Sequence, residues 1–257
     1  MFSQIKNKKW FEVLKKVLLS LLLGLLGGLS LVSTELSQYA DIPTALNIIT
    51  SQGHTVTFIQ FCAGPCILIT LMSLAALLVG NRTDSFLKPF RKTVEKNNIK
   101  FWIFISISSI ILPICYYFLQ GFVINHSFYK FNVYNLLKSV FYDSVVGELF
   151  FNFFITSLIV FLVFKVFYKK KDSINKVGLI SSVCFSVLFL FSIQLNALFS
   201  LYSNVTALFL LWAILEYLLM DAIYAYAYVR YGLKISMFIH IVFTIMLLAV
   251  CPLLFNL

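Results

Sequence analysis

The sequence predicts an all-α fold, a polytopic bundle of transmembrane helices, and three observations carry that reading. Hydrophobic residues make up 61% of the 257 positions, where a soluble domain has about half. Charged residues make up 12%, against about a quarter in a soluble domain. That is too little polar surface to coat a globule in water, and the mean hydropathy is +0.94. The apolar residues also run in long continuous segments rather than alternating, which selects helices over a membrane barrel.

Seven spans follow in order: about 17–33, 56–80, 101–124, 139–164, 177–193, 204–229 and 235–256. Each is near the length needed to cross a hydrocarbon layer of ~30 Å at 1.5 Å per residue. The fifth is the shortest. The uncharged run after it, "SIQLNALFSLYSN", reads as a loop or as a short eighth, re-entrant helix near 194–204. The first span follows a basic amphipathic segment, residues 1–16. Its long apolar run without a nearby small-residue cleavage site reads as an uncleaved helix rather than a signal peptide. The basic segment suits the anionic inner leaflet. Residues 17–257 form one membrane domain, since the longest loops are too short to fold alone.

The formal charge of +10 does not point to nucleic acid. The basic residues sit in short clusters between apolar segments, not on a face interleaved with aromatics. With seven spans, all lysines and arginines except Lys130 and Lys138 fall on one side. The positive-inside rule makes that side cytoplasmic, with the N-terminus inside and the C-terminus outside a plasma membrane. The sequon at Asn81 then lies on the cytoplasmic side. Cys62, Cys66, Cys115, Cys184 and Cys251 all fall in apolar segments and read as small hydrophobes. No second ligand pair accompanies Cys62 and Cys66, so neither a metal nor a cofactor is implied.

Ionisable side chains inside a membrane helix are costly and mark packing or function. In "SVVGELFFNFF", Glu148 and Asn152 are four apart and share a helical face. Span six carries Glu216 and Asp221, span seven carries His240, and Gln194 flanks span five. Straight spans put Asn152 about 20 Å from the cytoplasmic end, Glu148 about 25 Å, Glu216 about 21 Å, Asp221 about 13 Å and His240 about 9 Å. This arithmetic lets Asp221 meet His240, and Glu216 meet Glu148 and Asn152; the partner of Glu148 stays open between His240, Glu216 in a protonated pair, and Asn152 on its own helix. A single small site needs tilted or broken helices. Glu216 and Asp221, five apart, are ~140° around a regular helix and do not share a face.

Three pieces occur in an order that resembles the CPBP family of intramembrane proteins. These are "GELFFN" at Gly147 to Asn152, "FSVLF" at Phe185 to Phe189, and "HIVFT" at His240 to Thr244, the last preceded by "VRYGLKISMFI". The family includes type II CAAX prenyl endopeptidases and bacteriocin-processing or immunity proteins, and the resemblance covers about residues 100–250. Its pattern is E-E-x-x-x-R, then F-x-x-x-H, then H-x-x-x-N or D. In active members a glutamate and a histidine activate water and the last pair stabilises the oxyanion. Here Gly147 stands at the first glutamate, Glu148 at the second and Asn152 at the arginine. Phe189 stands at the second motif's histidine, His240 is retained, and Thr244 replaces the asparagine. Glycine and phenylalanine accept no proton, and losing such a group costs about 10²–10⁴ in rate.

The resemblance therefore implies a noncatalytic membrane protein. It would support the modification or processing of a membrane-anchored or exported substrate, such as lipoprotein N-acylation or peptide maturation. Its partners are the bilayer and a lipidated protein, a peptide or a partner enzyme. Glu148 and His240 are the candidate catalytic residues; Asn152, Glu216, Asp221, Thr244 and Gln194 are candidates for binding or packing. Two alternatives are a bacteriocin immunity protein, and a divergent protease or acyltransferase with a relocated site. A transporter is a third class, suggested by the intramembrane acids and the Gly64–Pro65 kink signal, but no internal duplication supports it.

Overall fold

The computed structural model describes residues 11–28, 63–87, 90–91, 98–124, 131–168, 174–201 and 206–255. Among them there are helices and no strands. We number the helices α1 (11–28), α2 (Gly64–Leu87), α3 (Ile99–Val123), α4 (Asn135–Phe167), α5 (Lys176–Leu201), α6 (Ala207–Tyr231) and α7 (Leu233–Phe255). Five of these, α3 to α7, contain stretches long and apolar enough to cross a membrane. In α2 the apolar stretch is shorter, Cys66–Leu78. The parts of the first two expected spans at 29–33 and 56–62 lie outside the described residues, as do residues 1–10 and Cys62.

The expected boundaries need three corrections. Helix α2 does not stop at residue 80 but continues through Leu87, so "NRT" is helical rather than a loop. Helix α4 is longer than drawn, Asn135–Phe167. The run after span five is neither a loop nor a separate helix as far as Leu201, because α5 continues without a break. It contains no proline and no glycine beyond Gly178, so nothing in its chemistry stops the helix earlier.

Helix starts are set by short polar side chains. Asn98 Oδ1 accepts from the Phe101 amide at 3.3 Å, Thr206 Oγ1 from Phe209 at 3.1 Å, and Asn175 Oδ1 from Gly178 at 2.7 Å. Each satisfies an amide that has no partner within its helix. Gly232, at φ +94°, joins α6 to α7 in a backbone conformation that side chains rarely adopt. The resulting tight turn lays α7 directly against α6.

Two cores form around α6. On one side, Phe101, Tyr116 and Tyr117 of α3 pack with Phe209, Trp212 and Tyr224 of α6 and Ile239 and Phe243 of α7. On the other, Ala76 of α2, Leu149 and Phe153 of α4 and Leu179 of α5 pack with Tyr228 and Val229 of α6. Buried hydroxyls tie the helices together: Ser157 to Tyr228 at 2.6 Å, Thr156 to Ser186 at 3.1 Å, and Ser144 to Thr244 at 2.8 Å. Helices in lipid lack a hydrophobic drive to associate, so small polar residues of this kind supply specific contacts. Phe122, Phe185, Phe189 and Phe238 lie on the outer surface, where lipid replaces water as the favourable contact.

Helix α4 is not regular. Ser139–Val146 and Leu149–Thr156 are π-helical, and α6 has a π-helical stretch at Ile214–Leu219. Ser144 Oγ donates to the Ser139 carbonyl, five residues back, at 2.9 Å. Wide turns of this type cluster at functional sites and re-aim side chains.

Candidate functional site

Glu148 lies between the two π-helical stretches of α4 and is almost fully buried, with 1% exposure. An isolated carboxylate there would be prohibitively costly. Both of its oxygens are used. Oε1 lies 2.9 Å from His240 Nδ1. Oε2 accepts from Ser236 Oγ at 2.6 Å and from Asn152 Nδ2 at 3.1 Å. Ser236 Oγ also lies 2.9 Å from the Tyr224 carbonyl, so its single proton is shared between two acceptors. The His240 ring stacks on Tyr224, with centroids 4.3 Å apart and planes 12° apart. One carboxylate thus ties α4 to α7, and through Ser236 and Tyr224 to α6.

The pairing of Glu148 with His240 corrects the depth arithmetic, which separated them and let His240 meet Asp221. Helix α4 has 33 residues, about 50 Å if regular, against a hydrocarbon layer of ~30 Å. Distance along such a helix is not depth in the membrane, and its π turns shorten the rise further. The expected sharing of a face by Glu148 and Asn152 holds, as their direct hydrogen bond shows.

Beside this cluster is a cavity of about 1150 Å³. His240, Thr244, Gln194, Glu216 and Asp221 all line it, as does Gly147. That Glu216 and Asp221 share a wall corrects the expectation that they face apart. Glu216 lies within the π-helical stretch Ile214–Leu219, and Asp221 follows it by two residues. In a π turn the repeat is i to i+5, so residues five apart come onto one face. Gln194 is within hydrogen-bonding reach of Asp221, and Tyr116 of Glu216. Glu216 Oε2, Asp221 Oδ2 and Gln194 Oε1 have no hydrogen-bond partner among the described residues. The rest of the wall is largely apolar and includes Phe150, Phe151, Phe243 and Leu247.

Phe189, the position of the second motif's histidine, is 45% exposed on α5 and does not line the cavity. The other motif positions do converge. Gly147, His240 and Thr244 are on the cavity wall, and Glu148 and Asn152 are directly behind it. Three residues were not singled out from the sequence: Ser236, Tyr224 and Asp143, the last also on the cavity wall. For Ser236 a signal existed, since it is four residues before His240 on the same helical face. Asp143 carried the same signal as Glu148, a carboxylate inside the expected span 139–164, whereas Tyr224 had none, because only packing brings it to the site.

Chemically, the arrangement offers a carboxylate-oriented imidazole. The Glu148 contact occupies Nδ1 and leaves Nε2 as the other nitrogen of this partly exposed ring. Fixing one ring nitrogen in this way sets the role of the other. Among the described residues no group of three histidine, cysteine, aspartate or glutamate side chains is arranged to hold a metal. No protein-family model, curated protein or solved structure matches the chain.

Proposed function

We propose that this chain is a noncatalytic, CPBP-like intramembrane protein that holds a membrane-anchored or lipidated substrate for modification or processing by a partner enzyme. The observation that carries the reading is the cavity of about 1150 Å³, with apolar walls and a polar cluster at Glu148 and His240. Its volume is that of a large ligand pocket. Catalysis is disfavoured because Gly147 has no titratable group and Phe189 faces away from the cavity. The retained polar residues are engaged with one another, as packing or binding groups would be. The reading takes α1 and α2 to cross beside the five apolar helices, seven spans in all. With that count, the lysine and arginine distribution supports a cytoplasmic N-terminus and a C-terminus outside the plasma membrane.

The test is a photoreactive amino acid placed at Phe151 or Phe243 in native membranes. A lipidated or membrane-anchored protein or peptide crosslinked from both positions is the expected result. Crosslinks to bulk phospholipid alone would refute the proposal.

A relocated-site enzyme is the second reading, and the orientation of the His240 ring by Glu148 favours it. An imidazole held this way is suited to act as a general base toward a group in the cavity. If His240→Ala abolishes a covalent change in the crosslinked substrate while the protein still accumulates, this second reading replaces the first.

A further inference from the structure

The unpaired polar atoms on the cavity wall share one chemical character. Glu216 Oε2, Asp221 Oδ2 and Gln194 Oε1 are buried, have no partner among the described residues, and are all hydrogen-bond acceptors. Asp221 is only 8% exposed. A third carboxylate, Asp143, lines the same cavity, and no lysine or arginine does so among the described residues. The one basic side chain on the wall, His240, is already engaged by Glu148. The unpaired atoms on this wall are therefore acceptors and its charged groups are acidic, with no lysine or arginine to balance them.

A primary ammonium has three N–H donors and no acceptor. It matches three unpaired oxygens in number, and the neighbouring carboxylates in charge. The rest of the wall, including Phe150, Phe151, Phe243, Leu247 and Leu248, suits a hydrocarbon chain. We infer that the cavity binds a cationic amphiphile: a primary amine head held by Glu216, Asp221 and Gln194, with its apolar chain along the phenylalanine-rich wall. This rests on the cavity being the substrate site proposed above, and it names the chemical class of that substrate. A quaternary ammonium carries the charge without the donors, so it should fit less well than the primary amine. An alcohol of equal chain length lacks the charge, and a sulfate of equal length carries the wrong one.

The experiment uses the full-length protein in phosphatidylcholine nanodiscs. Four twelve-carbon probes are compared, each with a diazirine at the end of its chain: a primary amine, a trimethylammonium, an alcohol and a sulfate. After irradiation, labelled peptides are mapped by mass spectrometry as probe concentration is raised. The amine should label peptides containing Phe150, Phe151 or Met220. It should reach half-saturation at a concentration about tenfold below that of the alcohol, the effect of one charge-assisted hydrogen bond. Asp221→Asn should raise that concentration about tenfold, whereas Phe185→Ala, on the outer surface, should leave it unchanged. If Asp221→Asn fails to accumulate, the preference among probes on the unaltered protein decides alone.

Equal labelling by amine and alcohol overturns the inference but leaves a substrate cavity for amphiphiles intact. No cavity labelling by any probe overturns both. Equal labelling by the amine and the trimethylammonium overturns the donor match.

Discussion

Replacing Glu148 by glutamine should be far milder than replacing it by alanine, and the structure shows why. Glutamine keeps the shape of the side chain. Its oxygen can take the place of Oε1 and accept from His240 Nδ1. Its amide nitrogen then takes the place of Oε2 and faces Asn152 and Ser236. Asn152 Oδ1 has no partner, so a flip of the Asn152 amide turns that oxygen toward the new donor. Ser236 can give its proton to the Tyr224 carbonyl and accept from the glutamine. Each partner keeps its bond to residue 148, and Asn152 still has one unpaired amide atom, now its nitrogen; the main loss is charge assistance, about 1 kcal/mol for an interhelical contact in a membrane protein. Alanine leaves His240, Asn152 and Ser236 facing a void, and breaking a buried pair in that way costs about 3–5 kcal/mol. The assay is unfolding of the purified protein in mixed micelles by increasing sodium dodecyl sulfate, followed by circular dichroism. Equal destabilisation by Glu148→Gln and Glu148→Ala would refute the rearrangement. It would mean that the negative charge itself, rather than the set of hydrogen bonds, holds α4 to α7.

Five further substitutions test the packing by thermal denaturation in detergent. Gly232→Ala should lower stability by about 1–3 kcal/mol from backbone strain alone, since an added Cβ would lie 3.9 Å from its nearest neighbour, Arg91 Cζ. Loss of no stability there would exclude the positive φ. Tyr228→Phe removes the 2.6 Å contact with Ser157 and should cost about 1 kcal/mol; pairing it with Ser157→Ala should give less than the sum of the two. Glycines on helix surfaces should separate by what an added Cβ meets. At Gly147 the nearest atom is 3.7 Å away, so Gly147→Ala should be neutral or stabilising by up to about 1 kcal/mol. At Gly28 the Cys66 backbone is 2.9 Å away, so Gly28→Ala should destabilise by about 1–3 kcal/mol as α1 is pushed from α2.

The sequence by itself determined the class of fold and the positions of the five long apolar helices. Apolar run length reports directly on bilayer thickness, and that relation needs no knowledge of neighbours. It also singled out Glu148, Asn152, His240, Glu216, Asp221 and Gln194, which are conspicuous because polar groups in lipid are costly. Helix ends were less legible. Leu87 and Leu201 lie past the edge of the hydrophobic signal, and hydrogen bonding carries a helix on where hydropathy stops. Only the tertiary structure decided who pairs with whom. Regular-helix geometry placed Glu148 far from His240, and Glu216 on the opposite face from Asp221. The first failed because α4 is longer than the hydrocarbon layer, so distance along it is not depth, and the second because Glu216 lies in a π-helical stretch of α6, which changes the angular repeat. Such turns leave no mark in a hydropathy profile. One of them carries Ser144, whose hydroxyl meets Thr244, one hundred positions away in the chain, a contact that only packing of the helices can make.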